Sequence, residues 1–173
     1  MTIQEFLTAI KGTDADARYQ AWKSAGPHGA GAVAGLGEAM ASGNRWIARA
    51  ARLALENIAH HAARPGARKE AQTVTAELIK LTGAAAPLTV RSHAIYLLGC
   101  VAEGRTAGEL GRLLGEADVR EEARLALERL PGRDAHRVLE RAQDSAAADF
   151  KAALQQSLQN RNTKPNNVGI KAA

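Results

Sequence analysis

The sequence predicts an all-α protein of about five helical-hairpin repeats, the last incomplete. Three observations carry this reading. A hexapeptide recurs without change, as Ala51-Arg52-Leu53-Ala54-Leu55-Glu56 and as Ala123-Arg124-Leu125-Ala126-Leu127-Glu128. Matching positions return at intervals of about 30 residues, the length of two helices and their turns. The 173 residues are 46% hydrophobic but only 3% aromatic, so the interior is built from Ala, Leu, Val and Ile. Such a chain is a poor strand former, and its small side chains let helices approach closely.

The repeat frame sets the elements in order. Residues 3–10 form a short capping helix. The frame then fits Asp16-Ala17-Arg18-Tyr19-Gln20-Ala21, the first hexapeptide, Thr89-Val90-Arg91-Ser92-His93-Ala94, and Asp118-Val119-Arg120-Glu121-Glu122-Ala123. It fits more loosely at Asp149-Phe150-Lys151-Ala152-Ala153-Leu154. The aligned small or apolar positions are Ala21, Ala51, Ala94, Ala123 and Leu154, with one longer interval between the second and third. First helices are expected near 14–25, 45–62, 88–102, 118–130 and 147–160, and second helices near 28–41, 67–82, 105–114 and 134–143. Gly26-Pro27, Arg64-Pro65-Gly66, Glu103-Gly104 and Leu130-Pro131-Gly132 separate first from second helices. Ser42-Gly43-Asn44, the stretch 83–87, the stretch 115–118 and Asp144-Ser145 separate one unit from the next. Gly suits a helix end, Pro a first turn, and Asp, Ser or Asn an N-cap.

Within the fourth unit Val119, Ala123, Ala126, Leu127 and Leu130 follow helical spacing as one apolar stripe. Asp118 and Asp149 suit an N-cap or first turn. Arg18, Arg91, Arg120 and Lys151 recur at one frame position, where they are expected to reach an acid or a carbonyl of the adjacent repeat. The single cysteine, Cys100, excludes an internal disulfide and is expected to be a buried small hydrophobe.

Candidate chemistry is sparse. His28, His60, His61, His93 and His136 show no helical metal-ligand spacing. The glycines of Gly26-Pro27-His28-Gly29-Ala30-Gly31 lack the strand of a dinucleotide loop and the Gly-Lys-Ser/Thr of a Walker loop. They are expected instead to bring a helix backbone close to its neighbour. Neither a catalytic site, nor a cofactor, nor a metal is expected. Net charge is +5, but Arg161, Lys164 and Lys171 lie in a terminal segment without acids, which leaves the body nearly balanced. That segment, 161–173, is expected to be a polar, basic tail, extended or disordered, after a repeat domain of 1–160. No leader pattern and no long apolar run is present, so a cytoplasmic protein with no membrane partner is expected.

The frame Asp-Val-Arg-x-x-Ala-x-x-x-Leu followed by a Pro/Gly turn resembles HEAT repeats over about residues 13–160. It looks most like the short variety named after the phycobilisome lyases. Leu127-Glu128-Arg129-Leu130-Pro131-Gly132 is also similar to small bacterial HEAT-repeat proteins of unassigned function. The resemblance implies an α-α superhelix, an armadillo/HEAT-like solenoid, acting as a non-catalytic scaffold that binds another protein on the surface of its second helices. Lys69, Gln72, Arg112, Arg137 and Arg141 are the candidate contacts there. An alternative is a DNA-associated role resembling HEAT-like alkylpurine DNA glycosylases, with Arg45, Arg49, Arg52, Arg64 and Arg68 on phosphates, joined by Lys69. Trp22 and Trp46 lie on first helices, and the catalytic constellation of those glycosylases does not map onto this chain. A bilin-lyase-like activity is suggested only by the name of the repeat, and no residue supports it.

Overall fold

The computed structural model describes residues 1–163, and every regular element among them is helical. The chain divides into two compact units, Met1–Val101 and Ala102–Ala173.

In the first unit α1 (Ile3–Lys11) opens with a capping box. The Thr2 hydroxyl accepts from the Glu5 N–H, and the Glu5 carboxylate accepts from the Thr2 N–H, satisfying two orphan donors. Phe6 and Ile10 bury the inner face of α1. Helix α2 (Ala15–Lys23) is capped by Asp14, whose carboxylate accepts from the N–H groups of Asp16 and Ala17. A single 3-10 turn at Gly26–His28 leads to α3 (Ala30–Met40), and the Asn44 side chain caps α4 (Arg45–Ala62). Helices α5 (Arg68–Lys80) and α6 (Leu88–Val101) complete the unit. Helices α2, α4 and α6 pack side by side as one layer, and α1, α3 and α5 as a second. The layers meet through α1 on α2, α3 on α4 and α5 on α6.

The glycines of α3 set how closely the second layer packs. A Cβ at Gly31 would lie 2.6 Å from Ile3 Cδ1, and one at Gly35 would lie 2.5 Å from Leu7 Cδ1. Helix α1 therefore rests on the α3 backbone, the packing role expected of this glycine-rich segment.

In the second unit a 3-10 turn at Gly104–Thr106 precedes α7 (Ala107–Leu113), α8 (Arg120–Arg129), α9 (Arg133–Ser145) and α10 (Ala148–Thr163). Helices α8 and α10 pack together, as do α7 and α9, with α8 and α10 both against α9. The two units thus share one internal plan.

The frame residues Ala21, Ala51, Ala94, Ala123 and Leu154 are all buried. So are Val119, Ala126, Leu127 and Leu130, the rest of the expected stripe. Burying a Leu or Val side chain is worth roughly 1.5–3 kcal/mol, so these stripes hold each layer together.

Several local expectations are corrected. Asp118 is not an N-cap: the chain turns one residue later, Val119 takes that position, and no side chain caps α8. Cys100 is exposed, because it lies on the side of α6 away from Ala94, with its thiol 3.5 Å from the Tyr96 carbonyl oxygen. Helix α10 runs through Thr163, past the expected end at 160. Arg161 accordingly belongs to a helix, and its guanidinium is tied down. It donates to the carbonyls of Leu127 (2.6 Å), Glu128 (3.0 Å), Leu130 (2.7 Å) and Gly132 (2.7 Å). The Leu127, Glu128 and Leu130 carbonyls are at the C-terminus of α8, where backbone acceptors lack intrahelical partners, and the Gly132 carbonyl is at the start of α9. The remainder of the expected tail lies outside the described residues.

Candidate interaction surface

Three of the four cations at the recurring frame position, the arginines, are consumed by the fold. Arg18 donates to the Gly12 carbonyl at 2.7 Å, where α1 ends. Arg91, itself buried, donates through Nε to the Thr82 carbonyl at 2.8 Å, just past α5. Arg120 donates to Asp149 at 3.0 Å and lies over the Phe150 ring. The Asp149 carboxyl is held below its ordinary range by the Phe150 N–H and by Arg120. Each of these arginines ties its helix to a neighbouring turn or helix, as expected. Lys151 is exposed.

The residues expected to contact a partner through the second helices fall in two groups. Lys69, exposed, and Gln72, half-buried, lie one turn apart on α5 in the first unit. Arg112 is at the end of α7, and Arg137 and Arg141 are one turn apart on α9 in the second unit. Arg112 pairs with Glu109 at 2.8 Å and Arg137 with Asp134 at 3.5 Å, while Arg141 is exposed.

The five arginines considered for phosphate contact all lie in the first unit, in unlike surroundings. Arg64 makes a two-pronged pair with Glu70, at 2.8 and 2.7 Å, and donates to the His61 carbonyl as well. That pairing holds the Glu70 carboxyl below its ordinary range. Arg68 also has a partner. Arg52 lies 3.6 Å from Glu56, the i,i+4 pair that the sequence suggests. The Arg45 guanidinium sits 4.4 Å above the Trp46 ring. Arg49 is exposed on the same helix.

Aromatic residues mark this surface further. Both phenylalanines are buried and Trp22 is half-buried, but Trp46 (53%), Tyr19 (43%) and Tyr96 (41%) are exposed. They occur on α4, α2 and α6, the three helices of one layer, on sides turned away from Ala51, Ala21 and Ala94. Lys23 lies over the Tyr19 ring, and Tyr19 meets Trp22 edge-on. Sequence reasoning placed Trp46 on a first helix without seeing this grouping. The signal was present as large aromatics on the far side of the helix from the frame alanine.

On the same layer, a cleft of about 520 Å³ is lined by Met40, Ala48, Arg49, Arg52, Leu53 and Thr89. Its walls come from the end of α3, the first half of α4 and the start of α6. Met40, Ala48 and Leu53 are half-buried and present apolar surface to it, with the two arginines alongside.

One turn further along α6, His93 is buried against α4 with Nε2 3.9 Å from Glu56 Oε1. Nε2 has no hydrogen-bond partner among the described residues. Burial pushes its pKa below the ordinary imidazole value, against the opposing pull of Glu56.

Among the described residues, no helix is long and apolar enough to cross a membrane. Neither a protein-family model nor a curated protein matches the chain. A crystal structure of an engineered protein is similar over 92% of this chain and 79% of its own, at 19% identity and a TM-score of 0.47. Likeness at that level says nothing about activity.

Proposed function

We propose that the protein is a non-catalytic scaffold of HEAT-like repeats, an α-α superhelix that binds another protein. One observation supports this most: the outward side of α2, α4 and α6 exposes three of the six aromatic side chains beside Lys23, Arg45, Arg49 and Arg52. Exposed Trp and Tyr next to Arg is the composition of protein-binding hot spots, where large side chains leave water at small entropic cost. Within this reading Lys69 and Gln72 on α5 are further contacts of the first unit, and Arg112, Arg137 and Arg141 on α7 and α9 are contacts of the second. The exposed aromatics favour the outward side of α2, α4 and α6 as the binding surface.

The test is site-specific photo-crosslinking in cells, with the reactive side chain replacing Trp46, Gln72 or, as control, Asp144. A discrete protein adduct from position 46, absent from 144, is the expected result; an adduct from 72 alone would move the partner to the second helices. Adducts that vanish on nuclease treatment would overturn the protein scaffold.

The second reading is the DNA-associated one. It has the cluster of Arg45, Arg49 and Arg52 in its favour, since three cations within two turns of α4 could neutralise phosphates. Against it, Arg64 is occupied by Glu70 and Arg52 is paired with Glu56. On α6 the one arginine, Arg91, is buried. A phosphate track would therefore gain no exposed arginine from α6.

A further inference from the structure

We infer that the cleft between α3, α4 and α6 anchors an acidic segment of a protein partner, one apolar side chain entering it and flanking carboxylates meeting Arg49 and Arg52. The inference rests on the scaffold reading and names the chemistry that this surface selects.

The cleft combines two properties. Met40, Ala48 and Leu53 keep apolar surface exposed within about 520 Å³, room enough for a leucine or phenylalanine side chain. Burying such a side chain there removes apolar surface from water on both molecules, which favours binding. The rim is cationic. Arg45, Arg49 and Arg52 share α4 with one carboxylate, Glu56, which pairs with Arg52. Arg49 brings a positive charge that no acid on α4 offsets, since Glu56 is the helix's only acidic residue. A planar guanidinium suits a carboxylate in two-pronged geometry, and Arg52 can keep Glu56 while accepting a second acid.

A peptide fits these features better than a nucleic acid does. A strand of nucleic acid needs cations spaced along its backbone, but the α6 side of the cleft offers Thr89, and Leu88–Val101 holds no exposed cation. An acidic peptide needs only a local cluster of cations and a place for one apolar side chain. Charge would steer the encounter and the apolar contact would set the residence time.

The test is fluorescence anisotropy at physiological salt with the full chain and labelled probes. The probes are a short aspartate/glutamate peptide with a central Leu-Phe pair, the same peptide with that pair changed to serines, a neutral peptide keeping the pair, and a thymidine oligonucleotide. The first probe is expected to bind about ten-fold or more tightly than each of the others. Arg49→Glu and Leu53→Ser should each weaken it about ten-fold with helix content unchanged, while Lys80→Glu, on the exposed side of α5, leaves it unaltered. Equal binding of the first two probes would overturn the anchor cleft. Tighter oligonucleotide binding that is lost in Arg49→Glu would replace the peptide with nucleic acid. A concentration-dependent dimer abolished by Leu53→Ser would assign the cleft to a second copy. Failure of all the probes alongside a protein crosslink at position 46 would remove the cleft proposal and leave the scaffold reading standing.

Discussion

Ala123 sits at full burial in the α8 stripe, in the position that Ala21, Ala51 and Ala94 hold in the other layered helices. Added volume there forces strain of roughly 1–3 kcal/mol. Ala123→Leu should lower the unfolding midpoint, and Glu121→Ala, on the exposed side of the same turn, should lower it less. Equal and negligible effects would mean that the frame is misplaced. Gly104 makes a closer test of backbone packing. A Cβ there would lie 2.8 Å from the Pro131 carbonyl oxygen, and neither group is a flexible side-chain end. Gly104→Ala should therefore destabilise the second unit by about 1–3 kcal/mol, read by chemical denaturation. His93 gives a pH dependence whose sign follows from its burial. Its folded pKa lies below the unfolded value of about 6.5. As pH falls through 6.5, the unfolded chain takes up the proton first and stability declines toward the folded pKa. Thermal melts at pH 7 and pH 5.5 should therefore show a smaller acid loss for His93→Asn than for the parent. An equal loss would assign the acid sensitivity to other groups.

At the scale of elements, α10 differs from the other helices of its kind. Its buried apolar residues are Phe150 and Leu154, and a polar network joins it to α8. Arg124 donates to the buried Ser157 hydroxyl at 2.6 Å, and that hydroxyl donates to Glu128 at 2.9 Å. Asn160 donates to the other Glu128 oxygen, and Arg161 closes the end of α8. Hydrogen bonds to charged groups contribute about 1.5–3 kcal/mol, so Arg161→Ala should destabilise the second unit on that scale. Hydrogen exchange should then quicken at the end of α8 and along α10, and Arg161→Lys should not restore protection, because an ammonium cannot span the carbonyls of Leu127 and Gly132. Unchanged exchange would mean that this capping contributes nothing. The same features explain why α10 was only loosely legible in the sequence. Its frame match was weak because polar contacts, which carry no periodic signature, replace part of the stripe. Arg161 looked like tail because it stands among asparagines and next to a turn-rich segment. By contrast α4 and α8 carry the repeated hexapeptide, and their apolar spacing placed both correctly.

For the whole molecule, the all-helical class was legible because one packing problem is solved repeatedly with the same residues. A buried small or apolar frame residue marks each layered helix, joined by an arginine on α2, α6 and α8, and every expected helix is present within a few residues. The division after Val101 was not legible, since the frame continues across it with an unchanged interval. Nor was the candidate surface, because exposure of Tyr19, Trp46 and Tyr96 depends on how three separate helices are laid side by side. The central claim is that this surface serves a protein partner and not a phosphate backbone. The most direct measurement is duplex DNA affinity across a salt series. The samples are the intact chain, a chain ending at Thr163, which keeps the Arg161 contacts, and an Arg49→Glu/Arg52→Glu variant. Cations contacting phosphates would give a slope of log affinity on log salt of about −0.9 for each one. Weak binding that depends on the segment after Thr163 and is gone at physiological salt is the expected result. Tight binding at physiological salt that survives removal of that segment and is lost with the arginine reversals would contradict it.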